Sequence, residues 1–339
     1  MQIRENISLR PYNTFGIDVA ARYFTTFQSE AELEEFFVNA SQTAGAKMIL
    51  GGGSNILLTK NYDGLVLKNE IGGIAVVHQD EEHVYVRAGA GVNWHQLVLH
   101  CVDNGYAGME NLSLIPGNVG ASPMQNIGAY GVEVKDIFHQ LEAFHLHEHS
   151  FHRFALDDCA FGYRESVFKR RLKGQFIITA VTYKSSKKPV FHTSYGAIQQ
   201  ELDRMRVQEL SIKAISQAVI NIRSSKLPDP QKIGNAGSFF KNPYVDKALF
   251  ASLQASYPGI PAFPYDDNHV KVPAGWLIEQ CGWKGYRHGD AGCYEKQALV
   301  LVNYGRATGE EIYALSEEIL QSVKNRFGIA LEREVNILP

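Results

Sequence analysis

Little in this chain points to nucleic acid, a membrane or an oxidising compartment. Its 339 residues include only four cysteines, Cys101, Cys159, Cys281 and Cys293, and no two of them form a CxxC pair. That spacing fits reduced, mostly buried thiols in a cytoplasmic protein better than a disulfide framework or a zinc knot. No apolar run approaches the roughly 18 residues that a spanning helix needs. The opening "MQIRENISLRPYNTFG" lacks the apolar stretch of a signal peptide. With 33 basic against 36 acidic residues, the net charge of −3 gives no reason to expect nucleic acid or an anionic membrane as partner. There is no GKS/T after a glycine-rich turn, no GxGxxG and no G-x-S-x-G. A Walker loop, a Rossmann cofactor site and a serine hydrolase are therefore poor readings.

What is present is an ordinary globular composition, 45% hydrophobic and 20% charged, in a chain longer than one core usually serves. A helical pattern over 29–40 leads to the apolar strand "KMIL" (47–50), which runs into "GGGSN" (51–55). Residues 82–91 alternate like a half-buried strand, and 94–106 have helical spacing that stops at a glycine. A long loop rich in glycine and small residues fills 112–133, with strands expected at 136–147 and 175–184. Helices are expected over 208–221, 245–257, 274–283 and 308–327. The last opens with Thr308 and Glu311 at capping-box spacing and carries Ile312, Leu315, Ile319 and Val323 as one stripe. The reading is α+β, with breaks near 70 and 210.

Several stretches carry chemistry. Successive amides of "GGGSN" (Gly51, Gly52, Gly53, Ser54, Asn55) can converge on a diphosphate, although such turns often bind nothing. In "IPGNVGASPMQNIGAYG" (115–131), Pro116, Gly117, Gly120, Gly128 and Gly131 leave little bulk in the way of a ligand, while Ser122, Gln125, Asn126 and Tyr130 offer polar contacts. A large planar cofactor with phosphates is favoured there over a structural Ω-loop. In "FGYRES" (161–166), Arg164 is either a fork for a carboxylate or a surface partner of Glu165, and on this motif alone the surface pair is preferred. His145, His147 and His149 alternate, and are read as an exposed strand rather than a metal site because no Cys or carboxylate completes the set. In "GNAGSFFKN" (234–242), Ser238 is either a hydrogen-bonding filler or a reactive hydroxyl.

Taken together, "NTFGI" (13–17), "GGGSN", "IPGNVGASPMQNIGAYG", "FGYRES", "SSKLPDP" (224–230), "GNAGSFFKNP", "AGWLIEQCGWKG" (274–285), "QALVLVN" and the terminal "LEREV" resemble the UDP-N-acetylenolpyruvoylglucosamine reductase family over nearly the whole chain. The resemblance implies a two-part FAD-binding unit of the vanillyl-alcohol-oxidase (PCMH) type and a separate α+β substrate domain. The expected division is 1–70 with 327–339, 71–210 and 211–326, the terminal strand returning to the first part. It implies FAD as a tightly bound cofactor, NADPH as hydride donor and UDP-N-acetylglucosamine-enolpyruvate as substrate, in a cytoplasmic monomer.

By the same resemblance, Arg164, Ser238 and Glu334 are the catalytic residues. Hydride adds to the terminal carbon of the enol ether, charge develops on the carboxylate beside Arg164, and Ser238 protonates the adjacent carbon. Glu334 must be protonated or tied to a cation such as Arg164, since an ionised carboxylate would repel that charge. Flavin contacts are expected from Gly51, Gly52, Gly53, Ser54, Asn55, Pro116, Gly117, Gly120, Ala121, Ser122, Asn126, Ile127, Gly128 and Arg223. Substrate contacts are expected from Tyr130, Tyr195, Lys226, Asn242, Tyr265 and Gln297, with "SYGAIQQEL" (194–202) as the long-form loop that carries Tyr195 over the nucleotide sugar. One departure stands out: the family often has an arginine where this chain has Asn336, so no flavin contact is carried over to the terminal strand. A flavin oxidase or dehydrogenase of another sugar acid has no need of Ser238, Lys226 and Glu334 together. A non-catalytic nucleotide- or metal-binding protein is the alternative from another class.

Overall fold

The structure, a computed structural model, describes residues 1–39 and 45–339. The helix expected over 29–40 forms as Glu30–Asn39, and residue 40 lies outside the described residues. Compactness divides the chain in two. The first unit holds 1–7, 21–53 and 63–225, the second 8–20, 54–62 and 226–339. This differs from the three-part expectation in particular places. Segments 8–20 and 54–62 join the C-terminal unit, and all but the last residue of the helix Ile212–Lys226 joins the first.

In the first unit, one sheet runs in the order Arg4–Ser8, Ala20–Phe27, Tyr62–Asn69, Ala46–Leu50, with the last two strands parallel. A second, antiparallel sheet runs Ser150–Ala155, Phe138–His145, Phe176–Ser186, His83–Gly89, Ile74–Gln79. The helix Trp94–Asp103 is capped by the Asn93 side chain, which accepts from the Gln96 amide, and it buries Trp94, Leu97, Val98, Cys101 and Val102. That i, i+3, i+4, i+7, i+8 stripe packs on the inward residues Val84, Val86, Val181 and Tyr183 of the sheet. Burial pushes the thiols of Cys101 and Cys159 up to about 12, so neither is a thiolate at neutral pH.

Two local expectations are corrected. The strand Phe138–His145 ends at the first histidine of the run, and the chain turns over 146–149 with His149 at φ 53° before Ser150–Ala155 returns. His147 and His149 therefore lie in a hairpin turn, not along one strand face. Among the described residues no three His, Cys, Asp or Glu side chains group as a metal site. Secondly, most of 194–202 is helical: Gly196–Arg204 follows Tyr195 and buries Ile198 and Leu202 against Ile215, Ala218, Val219 and Ile222.

In the second unit an antiparallel sheet runs Gly234–Ser238, Val300–Asn303, Ala291–Cys293, Arg287–His288, beside a smaller sheet of Tyr244–Asp246, His269–Lys271 and Phe263–Pro264. The helix Gly309–Phe327 forms with the expected capping box: Thr308 Oγ1 accepts from the Glu311 amide, and Glu311 Oε2 accepts from the Thr308 amide. Its stripe Ile312, Leu315, Ile319, Val323 is buried. The terminal strand Asn336–Leu338 pairs in parallel with Ile56–Leu58, within the second unit. No helix among the described residues is long and apolar enough to cross a membrane.

Candidate active site

The first unit carries a glycine cradle. At the end of the strand Ala46–Leu50 the chain turns through Gly51–Gly53, with Gly53 at φ 63°. A Cβ on Gly52 would stand 2.8 Å from Gly117 Cα and 2.9 Å from Asn118 Oδ1, so only glycine lets the two loops touch. The second loop is held by main-chain bonds: the Trp94 amide donates to Gly117 O at 2.9 Å, the Val119 amide to Val92 O at 2.9 Å, and the Gly120 amide to Ala90 O at 3.0 Å. Pro116 and Ala121 are exposed and Gly51, Gly52, Gly117 and Gly120 half-exposed, leaving a shallow face of backbone and small side chains.

Two expected flavin contacts brace this loop instead of facing out of it. The Ser122 hydroxyl lies 2.7 Å from the hydroxyl of Tyr183, and both side chains are buried. Asn126, at φ 45° and fully buried, donates to Glu133 Oε2 and Gly162 O, and its Oδ1 accepts from the Lys135 amide at 3.0 Å. With both amide groups engaged, Asn126 has only its backbone to offer a ligand. Ile127 and Gly128 follow, half-exposed.

Arg164 sits on the same loop system, with φ 55° and its Nη2 donating to Gly128 O at 2.7 Å. A Cβ on Gly128 would come within 3.2 Å of Arg164 Nη1, so that glycine makes room for the guanidinium. Its neighbour Glu165 accepts from Arg170 and lies 3.7 Å from Lys169.

Arg223 donates to Leu114 O at 3.2 Å, and its burial lowers the guanidinium's pKa, with the nearby Tyr130 hydroxyl opposing the shift. Burial raises that of Tyr130. The Tyr195 ring, 50% exposed, meets Tyr130 edge-on with centroids 5.5 Å apart.

Three residues of this region were not legible in the sequence. Asn111 donates to the carbonyls of Tyr130 (3.0 Å) and His192 (2.8 Å) from a buried position. His95 Nδ1 accepts from the Leu114 amide, and burial followed by the charge of Arg223 lowers its pKa, favouring neutral imidazole. Glu110, 1% exposed, precedes Asn111 on a 3-10 turn. Only the helical spacing of 94–106 hinted at His95, and it could not show what the side chain meets.

Ser238 lies in the second unit. Ser238 ends the strand Gly234–Ser238 opposite Val300, after an irregularity that begins at Asn235. The bulge is built by one amide: Asn235 donates to Pro228 O and Ile233 O, and its Oδ1 accepts from the amide of Gly237, which is at φ 69°. The buried Phe239 and Phe240 then anchor the chain, so Ser238 stands half-exposed at the end of a rigid bend. The next segment pairs with the terminal one: the Glu334 amide donates to Phe239 O and the Lys241 amide to Glu332 O, both at 2.8 Å. Ser238 and Glu334 are thus brought onto neighbouring segments.

Asn242 Oδ1 accepts from the Ala274 amide at 2.9 Å, and Gln297 Oε1 lies 2.9 Å from where a Cβ of Gly275 would sit. Both converge on the start of the helix Ala274–Gln280. Tyr265, half-exposed, stacks on Tyr244 at 3.7 Å, and Lys226 is exposed at the end of its helix. The first unit therefore collects Gly51–Gly53, the 116–130 loop, Arg164, Tyr195 and Arg223. The second collects Ser54, Asn55, Lys226, Ser238, Asn242, Tyr265, Gln297 and Glu334.

Residues 21–146 match the FAD binding domain family, and together with the relatives named next this places the chain among FAD-binding oxidoreductases. Within the matched part a Cβ on Gly52 or Gly120 would come under 3.0 Å from Gly117 Cα or Ala90 Cβ, so the backbone there stays bare enough for a large cofactor to lie against it. Residues 229–338 match the family described as UDP-N-acetylenolpyruvoylglucosamine reductase, C-terminal domain. The chain is 52% identical to UDP-N-acetylenolpyruvoylglucosamine reductase of Amoebophilus asiaticus over 338 residues, covering 100% of both. It is 48% identical to that of Pseudomonas putida, covering 99% of both. The chain belongs to the UDP-N-acetylenolpyruvoylglucosamine reductase family. A crystal structure of the enzyme from Thermus caldophilus matches its fold with a TM-score of 0.70 at 24% identity, covering 100% of each chain. The α+β class, an FAD-binding part and a separate C-terminal domain are those the motifs implied.

Proposed function

We propose that the protein reduces UDP-N-acetylglucosamine-enolpyruvate to UDP-N-acetylmuramate with NADPH, a step of peptidoglycan precursor synthesis. Full-length identity of 52% to a relative of that name supports the reading. The single observation that carries the chemistry is the hydroxyl of Ser238, held at a bulged strand end on the segment beside Glu334.

FAD bound here would, once reduced by NADPH, supply hydride for the terminal carbon of the enolpyruvyl group. The backbone of 51–53 and 116–128 would hold its phosphate-bearing part, with Arg223 contributing charge. Arg164, oriented by the Gly128 carbonyl, meets the substrate carboxylate as negative charge develops there. Ser238 then delivers a proton to the adjacent carbon. The enolate-like intermediate is basic enough to take it from a neutral hydroxyl, so no lowered pKa is needed. Glu334 works as the protonated acid or as the partner of a cation, because a free carboxylate would oppose the same charge. Lys226 meets the diphosphate as a point charge, Asn242, Tyr265, Gln297 and Tyr130 hold diphosphate and sugar, and Tyr195 folds over them. In this reading 1–70 with 327–339 and 71–210 are the two FAD-binding parts, 211–326 is the substrate domain, and the enzyme is a cytoplasmic monomer.

The test is anaerobic absorbance of the purified protein, reduced with NADPH and then given the enolpyruvyl substrate. Bleaching followed by prompt return of the oxidised flavin bands supports both halves. A flavin that bleaches and stays reduced rejects the substrate, and a protein that takes up no FAD rejects the whole reading.

A further inference from the structure

The end of the chain is a strap with two different partners. Its first part, 332–334, is bonded to 239–241 by the Glu332 and Glu334 main-chain contacts. Its last part, Asn336–Leu338, pairs with Ile56–Leu58, and the Thr59 amide donates to Leu338 O at 2.9 Å. The change of partner falls between Glu334 and Asn336, around the buried Val335. There a small ring of side-chain bonds joins the strap to Asn55. Asn336 donates to Asn55 O twice, from its backbone amide at 3.1 Å and from Nδ2 at 3.0 Å. Asn55 Nδ2 donates to Glu334 O at 3.3 Å.

The geometry points to Asn336 as a positioning residue, and we propose that it sets the backbone of Glu334 and braces the end of the 51–55 turn at once. An asparagine side chain is short enough to reach only the neighbouring main chain, and here it places a second donor on a carbonyl already bonded by its own amide. That ties the junction of two ladders at Val335 into a closed ring. Glu334 O accepts from Asn55 within the ring, so Asn336 sets the Glu334 main chain through Asn55 without bonding its side chain. Asn55 is the last residue of the glycine turn, so the ring also holds the end of that turn.

The part concerning Glu334 rests on the proposed function, so the test has two arms. Apoprotein and holoenzyme are prepared from wild type, Asn336→Ala, the same-sized Asn336→Asp, Glu334→Gln and the double variant Glu334→Gln/Asn336→Ala, with circular dichroism as a check on folding. In the first arm, FAD titration of the apoproteins reads the brace: loss of the Nδ2 donor weakens FAD binding by roughly threefold to tenfold. In the second, stopped flow separates the half-reactions. Reoxidation by the enolpyruvyl substrate falls about tenfold in Asn336→Ala and Asn336→Asp, while reduction by NADPH stays within about twofold. In the Glu334→Gln background the same change adds less than about twofold, because Asn336 acts through Glu334. Additive losses, or equal slowing of both half-reactions, overturn the positioning role, and unchanged FAD affinity overturns the brace. If wild type itself is not reoxidised, the proposed substrate fails while the FAD titration still decides the brace.

Discussion

The amide of Glu334 donates to the carbonyl of Phe239 across 2.8 Å, which joins the end of the chain to the segment that follows Ser238, nearly a hundred residues earlier. This one main-chain bond links the two sequence motifs that the proposed function uses together.

Replacing Ser238 by alanine removes the proton donor and leaves the bulge intact, since Asn235 and Gly237 build it without the hydroxyl. Flavin reduction by NADPH is expected at the wild-type rate, and reoxidation by substrate slower by roughly two to four orders of magnitude. Stopped-flow absorbance reads both. Comparable damage to the two halves removes Ser238 from its role.

For Glu334→Gln, the neutral amide keeps shape and main-chain bonding. Reoxidation is expected to slow and to lose whatever pH dependence the carboxyl confers, visible as a changed pH–rate profile against wild type. A variant with the wild-type profile and rate would leave Glu334 without a catalytic part.

Gly52→Ala places a methyl 2.8 Å from the Gly117 main chain, where neither loop can yield cheaply. A loss of about 1–3 kcal/mol in unfolding free energy and a marked loss of bound FAD are expected. Gly72→Ala is the control: nothing lies within 4 Å of its Cβ. It should be neutral or slightly stabilising, by up to about 1 kcal/mol. Similar behaviour of the two variants in urea unfolding and flavin retention would contradict the cradle.

Glu110 predicts a pH effect. Its Oε2 accepts from the Gly108 amide at 2.7 Å, while Oε1 has no hydrogen-bond partner among the described residues. Burial raises its pKa, with nearby His192 opposing and main-chain donors offsetting part of the shift. The folded state therefore holds this proton more tightly than the unfolded chain. Its contribution to stability is full below the ordinary glutamate range and is lost as pH rises through the raised value. Relative to Glu110→Gln, wild type should lose stability in urea titrations as pH rises from the ordinary glutamate range through the raised value. Parallel curves for the two proteins would show that the carboxyl titrates as it does in the unfolded chain.

What could be read from the sequence was local. The capping box of Thr308 and Glu311, the stripe from Ile312 to Val323 and the stop at Gly105 depend on residues within one or two turns, so spacing alone specifies them. The histidine run failed for the complementary reason. Alternation is a strand signal only while the chain stays extended, and His149 at φ 53° turns it at the hairpin. The helix Gly196–Arg204 was missed because its apolar contacts, Ile198 and Leu202, are matched by residues of a second helix rather than by its own pattern.

The sequence by itself determined the inventory: a glycine cradle, an arginine between aromatic and carboxylate, a serine after a glycine turn and a glutamate near the end. Each is a choice of residue type made within a few positions. Only the tertiary structure decided their partners. Gly52 needs Gly117, Arg164 needs the carbonyl of Gly128, and Glu334 reaches the Ser238 segment because the terminal strap leaves 239–241 for 56–58 at Asn336. Such contacts join residues far apart in the chain, and only the burial and hydrogen-bond needs of the folded whole select them.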